Sequence, residues 1–311
     1  FLPDGRIYIV GGNGVAIVHI DPLSLAPFAR TLGGQAPGSF DGVVLATFSR
    51  DGDHVITYDG AARVWTDDTR ARPETIPDPN ATSGPEAFVF ASPDLRHIAT
   101  VTWDGIVRLS DRDGAHALVL PHEGADPNPE SWGWSPDGSR FAQLRDGIVV
   151  VWRVAEGRAP RVVTRLGMPG GTSALADDTS LKFSADNRRL VVQRMFTSSV
   201  TVFDLRRSAL PIELPVRGTN VYGVDLSPDG HDLAVALGPA LGGESSVAVF
   251  DTETGRLRKQ VEVPFQPNAI AYADGGRRLA TLGQGGTPSG ETETRLQLWD
   301  ARSLRPLGSA V

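Results

Sequence analysis

The sequence predicts an all-β chain built from seven copies of one antiparallel unit, and three observations carry that reading. A short apolar run meets a turn of the Ser-Pro-Asp-Gly type seven times and then continues into a second apolar run. The copies are Leu2-Pro3-Asp4-Gly5, Ser49-Arg50-Asp51-Gly52, Ser92-Pro93-Asp94-Leu95, Ser135-Pro136-Asp137-Gly138, Ser184-Ala185-Asp186-Asn187, Ser227-Pro228-Asp229-Gly230 and Ala273-Asp274-Gly275-Gly276. Their third positions, at 4, 51, 94, 137, 186, 229 and 275, stand 43 to 49 residues apart. A fixed period in the forties marks a repeat architecture. Finally, each copy holds a strongly apolar run with a common ending. These endings are Val18-His19-Ile20-Asp21, Arg63-Val64-Trp65-Thr66, Arg108-Leu109-Ser110-Asp111, Val150-Val151-Trp152-Arg153, Thr201-Val202-Phe203-Asp204, Ala248-Val249-Phe250-Asp251 and Gln297-Leu298-Trp299-Asp300.

Within a copy the order is strand, turn, strand, turn, strand, turn, strand. The fourth copy reads as strands over 130–134, 140–144, 148–153 and 161–166, short runs rich in Val, Leu and aromatics and bounded by Gly, Pro and Asp. Ser-Pro-Asp-Gly suits a type I turn, because Pro presets φ at the second corner. Asp59-Gly60, Asp104-Gly105 and Asp146-Gly147 suit two-residue hairpins that need φ > 0. No helical periodicity is sustained.

The turn, the Asp-Gly hairpin and the aromatic-Asp ending together resemble the WD-repeat β-propeller family, in degenerate bacterial copies. The resemblance implies one seven-bladed β-propeller over 1–311, of four-stranded antiparallel blades around a channel. The blades fall near 1–32, 41–78, 86–121, 130–167, 179–217, 221–264 and 267–311. The family's Gly-His pair before the innermost strand is missing; Gly230-His231 sits in a different turn. The looser propellers related to TolB share the Ser-Pro-Asp-Gly turn. The first blade is expected to lack its inner strand, and the seventh to have all four, ending over 306–311. The chain therefore reads as a segment excised from a longer protein.

Composition narrows the function. The chain has 311 residues with net charge −7, which disfavours a broad nucleic-acid surface. It has no cysteine, so neither disulfides nor thiolate chemistry enter. No apolar run reaches the length of a membrane span. The expected setting is a monomeric module within a larger cytoplasmic protein.

Candidate chemistry is mostly absorbed by the repeat. Asp4, Asp51, Asp94, Asp137, Asp186 and Asp229 belong to the turn, and Asp21, Asp111, Asp204, Asp251 and Asp300 to the strand ending. Glu123, Asp126, Asp177 and Asp178 lie outside the pattern and read as solvated. The six histidines show no metal-ligand spacing, and there is no phosphate loop or nucleophile elbow. Trp65, Trp152 and Trp299 read as core. Arginine groups 158, 161 and 165, and 188, 189 and 194, read as solvated rim, with Arg256, Arg258 and Lys259 on an outer strand.

What breaks the pattern points to binding. Enlarged hairpins over 238–246 and 283–292, with long connections between units, would place loops on one face. Candidate partner-binding residues are Trp103, Trp132, Met195, Phe196, Gly238, Glu244, Gly283 and Glu291. The expectation is a non-catalytic scaffold or sensor module of a bacterial signalling protein, binding a protein or peptide and holding no cofactor or metal. The alternative is an enzyme-associated propeller, either a lactonase-like hydrolase or the gating propeller of a peptidase.

Overall fold

One hydroxyl does most of the bonding where the chain reverses between the first and second strands of a sheet. The computed structural model describes residues 6–11, 14–20, 27–32, 45–49, 54–58, 62–66, 74–76, 87–102, 106–120, 131–169, 179–194, 198–207, 210–216, 219–239, 244–286 and 292–309. In the turn at Ser227 the hydroxyl donates to the Asp229 carboxylate at 2.6 Å and accepts the Asp232 N–H at 2.9 Å. Asp229 accepts the His231 N–H at 3.1 Å. The Gly230 N–H reaches the Ser227 carbonyl at 2.8 Å, and the Ser227 N–H reaches the Asp232 carbonyl at 2.9 Å.

The same set recurs at Ser92, Ser135 and Ser184, with hydroxyl-to-carboxylate distances of 2.5, 2.7 and 2.6 Å. In those copies the serine accepts the N–H five residues on at 3.0, 2.8 and 2.9 Å. The fourth position is left-handed throughout, with φ of 60° at Leu95, 71° at Gly138, 58° at Asn187 and 73° at Gly230. Gly and Asn suit that region; Leu95 tolerates it while packing against Val64, Ile76, Ala91 and Ile98. The seventh copy lacks both Ser and Pro and turns differently. Asp274, Gly275 and Gly276 take φ of 52°, 61° and 88° in a single 3₁₀ turn.

The described residues form seven antiparallel sheets in chain order, five of four strands and two of three. Sheet 1 is β1 (Arg6–Gly11), β2 (Gly14–Ile20) and β3 (Pro27–Leu32). Sheet 2 is β4 (Leu45–Phe48), β5 (His54–Tyr58), β6 (Ala62–Thr66) and β7 (Glu74–Ile76). Sheet 3 is β8 (Ala87–Ala91), β9 (His97–Thr102), β10 (Val107–Asp111) and β11 (Leu118–Val119). Sheet 4 is β12 (Ser131–Trp134), β13 (Arg140–Arg145), β14 (Ile148–Ala155) and β15 (Arg158–Gly167). Sheet 5 is β16 (Thr179–Phe183), β17 (Arg189–Arg194), β18 (Ser199–Asp204) and β19 (Ile212–Glu213). Sheet 6 is β20 (Thr219–Leu226), β21 (Asp232–Pro239), β22 (Ser245–Asp251) and β23 (Leu257–Val263). Sheet 7 is β24 (Gln266–Ala273), β25 (Arg278–Gly286) and β26 (Thr292–Asp300).

The sequence places strands of the first unit near 6–10, 15–20 and 27–32, and the three strands of sheet 1 fall there. In sheet 7 the expected fourth strand is, among the described residues, only a bridge between Trp299 and Pro306. Asp146 and Gly147 take φ of 49° and 69°, as their hairpin requires. The Asp59-Gly60 and Asp104-Gly105 hairpins lie outside the described residues.

The chain divides into two compact units, one of Phe1–Pro129, Trp134–Phe141 and Val151–Val163, the other of Glu130–Gly133, Ala142–Val150 and Thr164–Val311. In the second unit β21 shows why a second strand can be buried at consecutive positions. Leu233, Val235 and Leu237 pack against Val191, Val200 and Val202 of sheet 5. The alternate residues Ala234 and Ala236 pack against Ile270, Leu279 and Trp299 of sheet 7. A sheet covered on both faces has no polar side, so the period-2 alternation of a half-exposed strand disappears. In the first unit Val64 and Ile76 of sheet 2 meet Ala91 and Ile98 of sheet 3 in the same way. Trp152 and Trp299 are buried, as their position in the repeat predicts.

The turns also dock sheet to sheet. A Cβ built on Gly138 would lie 2.4 Å from the Asp94 carboxylate, and one on Gly276 3.0 Å from Pro228. Each glycine lets one turn close on the turn of the preceding sheet. Arg189 departs from the expected solvated rim. It is buried, pairs with Asp204 at 2.9 Å and reaches Glu253 of the next sheet at 3.8 Å. Arg258 likewise bridges Asp232 at 3.0 Å and Asp251.

These bonds set the pH range of stability. Asp94, Asp186, Asp204, Asp229, Asp251 and Asp300 all titrate below the ordinary 3.8, Asp251 at about 2. In Asp229 and Asp300 the serine hydrogen bond is the largest effect. In the other four, burial is the largest single effect and pushes upward, and the summed hydrogen bonds and neighbouring charges outweigh it. Asp232 moves the other way, raised by burial and by the Asp229 and Asp251 carboxylates against Arg258. A lowered carboxylate contributes stability above its unfolded value and loses it as pH falls through its folded value. The melting temperature should therefore be level above about pH 5 and fall steadily from there toward pH 2, where Asp251 protonates. A melting temperature that holds or rises below pH 4 would contradict this reading.

Candidate functional site

Between sheets 6 and 7 the chain crosses in two residues, Pro264 and Phe265, and the crossing opens a cleft. It measures about 610 Å³ and is lined by Glu244, Ser245, Glu262, Val263, Pro264, Phe265, Gln266, Gln284, Gly285 and Gly286. Sequence dictates each wall. On sheet 6, Ser245 pairs with Val263 and Ser246 with Glu262, so Glu262 comes to the end of β23 beside the start of β22. On sheet 7, Gln266 pairs with Gln284. Phe265 is buried among Val247, Val263, Tyr272 and Trp299, so the floor is anchored in the core.

The polar groups divide by sheet. Glu244 and Glu262 come from sheet 6 and the two amides from sheet 7. The neighbouring Glu244 carboxyl, through hydrogen bonding first and its charge second, holds the Glu262 proton above the ordinary 4.5. Arg295, beside the cleft, is already engaged: it pairs with Glu293 at 2.6 Å and donates to the Gly286 carbonyl at 3.0 Å. The carboxyl pair thus faces the opening with no cation among the lining residues.

A second polar cluster lies in the first unit. His97 is buried and stacks on Trp134 at 6.2 Å. Its ring nitrogens stand 3.9 Å from Asp94 and 3.7 Å from Asp111, beyond hydrogen-bond length. Asp111 instead bonds His116 at 2.7 Å and the Gly157 N–H at 3.2 Å. The sequence treats His97 as an ordinary strand histidine; its burial between two carboxylates depends on register, which places it opposite Asp111. Among the described residues no group of three or more His, Asp or Glu is disposed to hold a metal ion.

The candidates named from sequence separate. Glu244 lines the cleft. Gly283 pairs within β25 beside it, where a Cβ would come 2.0 Å from the Gln266 carbonyl oxygen. Gly238 makes room for the Tyr222 ring, 2.4 Å from a built Cβ. Both glycines therefore serve packing. Trp132 is half-buried on β12 and is not a lining residue. Trp103, Met195, Phe196 and Glu291 lie outside the described residues, as do Glu123, Asp126, Asp177 and Asp178. Glu262, Gln266 and Gln284 have no sequence motif; only the pairing of strand ends brings them together. The enlarged hairpins are partly longer strands, since Gly283–Gly286 pairs in register with Arg295 to Thr292.

No protein-family model and no curated protein matches this chain. Among solved structures it is similar to a chain of the hydrazine synthase of Kuenenia stuttgartiensis, at a TM-score of 0.49 and 16% identity over 68% of this chain. It spans 62% of that chain's length.

The close approach at Gly283 gives a direct test of the cleft wall. Gly283→Ala should destabilise the protein by about 1–3 kcal/mol, because backbone and not a flexible side chain must move. An unchanged melting temperature would show that β24 and β25 are not held this closely.

Proposed function

We propose that this chain is a seven-bladed WD-repeat-like propeller that binds a protein segment at the cleft between sheets 6 and 7, and that it works as a non-catalytic scaffold or sensor module. The observation that carries this is the cleft itself: a fixed apolar floor, amides on one sheet and on the other a carboxyl pair with no cation among the described lining residues. Rigid strand ends bearing a few exposed polar groups suit recognition of an extended chain. The repeat carboxylates support the same reading. In the described turns they accept hydrogen bonds from serine and backbone, which commits them to structure. The propeller reading draws on the seven sheets in chain order and on second strands buried on both faces.

The alternative, an enzyme-associated propeller, has one observation in its favour, the buried His97 between Asp94 and Asp111. His97→Asn decides its weight: it should leave ligand binding unchanged if the histidine is structural.

The binding reading is tested with random peptides displayed on phage and selected on the folded protein, followed by hydrogen exchange with the enriched peptides bound. Protection should concentrate in 244–246, 262–266 and 284–286. Protection confined to other strands would refute the cleft as the binding place.

A further inference from the structure

The cleft's charge arrangement says what kind of segment it takes. Glu244 and Glu262 lie close enough for one carboxyl to hydrogen-bond the other, and both are exposed. Two carboxyls held together in the open repel once both ionise, which raises the Glu262 titration, and no cation stands among the described lining residues. Arg295 cannot serve, because Glu293 and the Gly286 carbonyl hold its guanidinium. Sharing the cleft are the buried side chains of Val263 and Phe265 and the exposed ring of Pro264, an apolar surface suited to a methylene stem. The exposed amides of Gln266 and Gln284 can pair with peptide N–H and C=O groups.

We propose that the cleft between sheets 6 and 7 receives an arginine side chain of a partner polypeptide, with its guanidinium spanning the Glu244 and Glu262 carboxylates and its stem on Pro264 and Phe265. This rests on the binding reading above and adds the chemistry of the ligand. A guanidinium fits better than an ammonium, because its planar fork can donate to two carboxylates at once. The protein's net charge of −7 favours approach of a cationic segment. Where Glu262 still holds its proton, binding releases it, since a cation favours the ionised carboxylate. Of the cleft's lining residues, Glu244 and Glu262 are the carboxylic acids. Affinity should therefore rise as pH rises through the raised titration of Glu262, and fall with added salt.

The test uses synthetic fluorescent versions of the peptides selected on the protein, measured by polarisation against the 311-residue protein and against Glu244→Gln/Glu262→Gln. Each peptide is also made with citrulline, the neutral analogue, replacing each arginine. The expected result is that selected peptides share an arginine, and that citrulline or the double variant weakens binding roughly five- to tenfold, as for two partly screened ion pairs. The double variant should keep its melting temperature, since both side chains are exposed and glutamine preserves their shape. Binding should also strengthen between pH 4 and pH 7 for the wild type and stay level for the double variant. Peptides that bind the cleft but tolerate both citrulline and the double variant overturn this proposal alone. Failure to select any peptide overturns it together with the binding reading.

Discussion

In four of the sheets the second strand has no face to spare for water, and the packing between sheets depends on that constraint. In β9, β13, β17 and β21 five or more consecutive residues are buried. A strand alternates its side chains, so consecutive burial requires cover on both sides. Sheet 6 shows the cover directly, with Leu233, Val235 and Leu237 turned to sheet 5 and Ala234 and Ala236 turned to sheet 7. Such a sheet cannot stand alone. Repetition at a fixed period follows, because each unit supplies the face that its neighbour lacks.

The serine-aspartate turn serves that stacking. Its hydroxyl fastens the first strand to the second, and its left-handed fourth residue lets one turn close on the previous one. Carboxylates that might suggest seven acidic sites are acceptors inside a small hydrogen-bonded hub. The proposed binding place accordingly lies outside the repeat pattern, at the crossing from sheet 6 to sheet 7.

Much of the fold was legible because the turn and its spacing are local signals. Ser, Pro, Asp and Gly each have a stereochemical reason to stand where they do, and the described copies carry the same hydrogen bonds. The seventh copy differed for the same reason: without Ser and Pro, Asp274 to Gly276 took another turn. Less legible was anything set by cross-strand register or contact between sheets. Arg189 reads as a surface residue until Asp204 is placed opposite it and Glu253 on the next sheet. His97 reads as ordinary until Asp111 faces it. Of the cleft, Glu244 could be named from loop length, but Glu262, Gln266 and Gln284 could not, because strand pairing alone gathers them. Gly238 and Gly283, which resemble loop residues in sequence, turned out to relieve close contacts with Tyr222 and Gln266.

The proposed propeller requires the seven sheets to close on themselves, and small-angle X-ray scattering tests that proposal most directly. A closed ring of 311 residues should show the radius of gyration of a compact domain, about 19–20 Å, and a single symmetric distance distribution. A clearly larger radius with a skewed, extended distribution would mean that the sheets stack in an open arc, and would contradict the account.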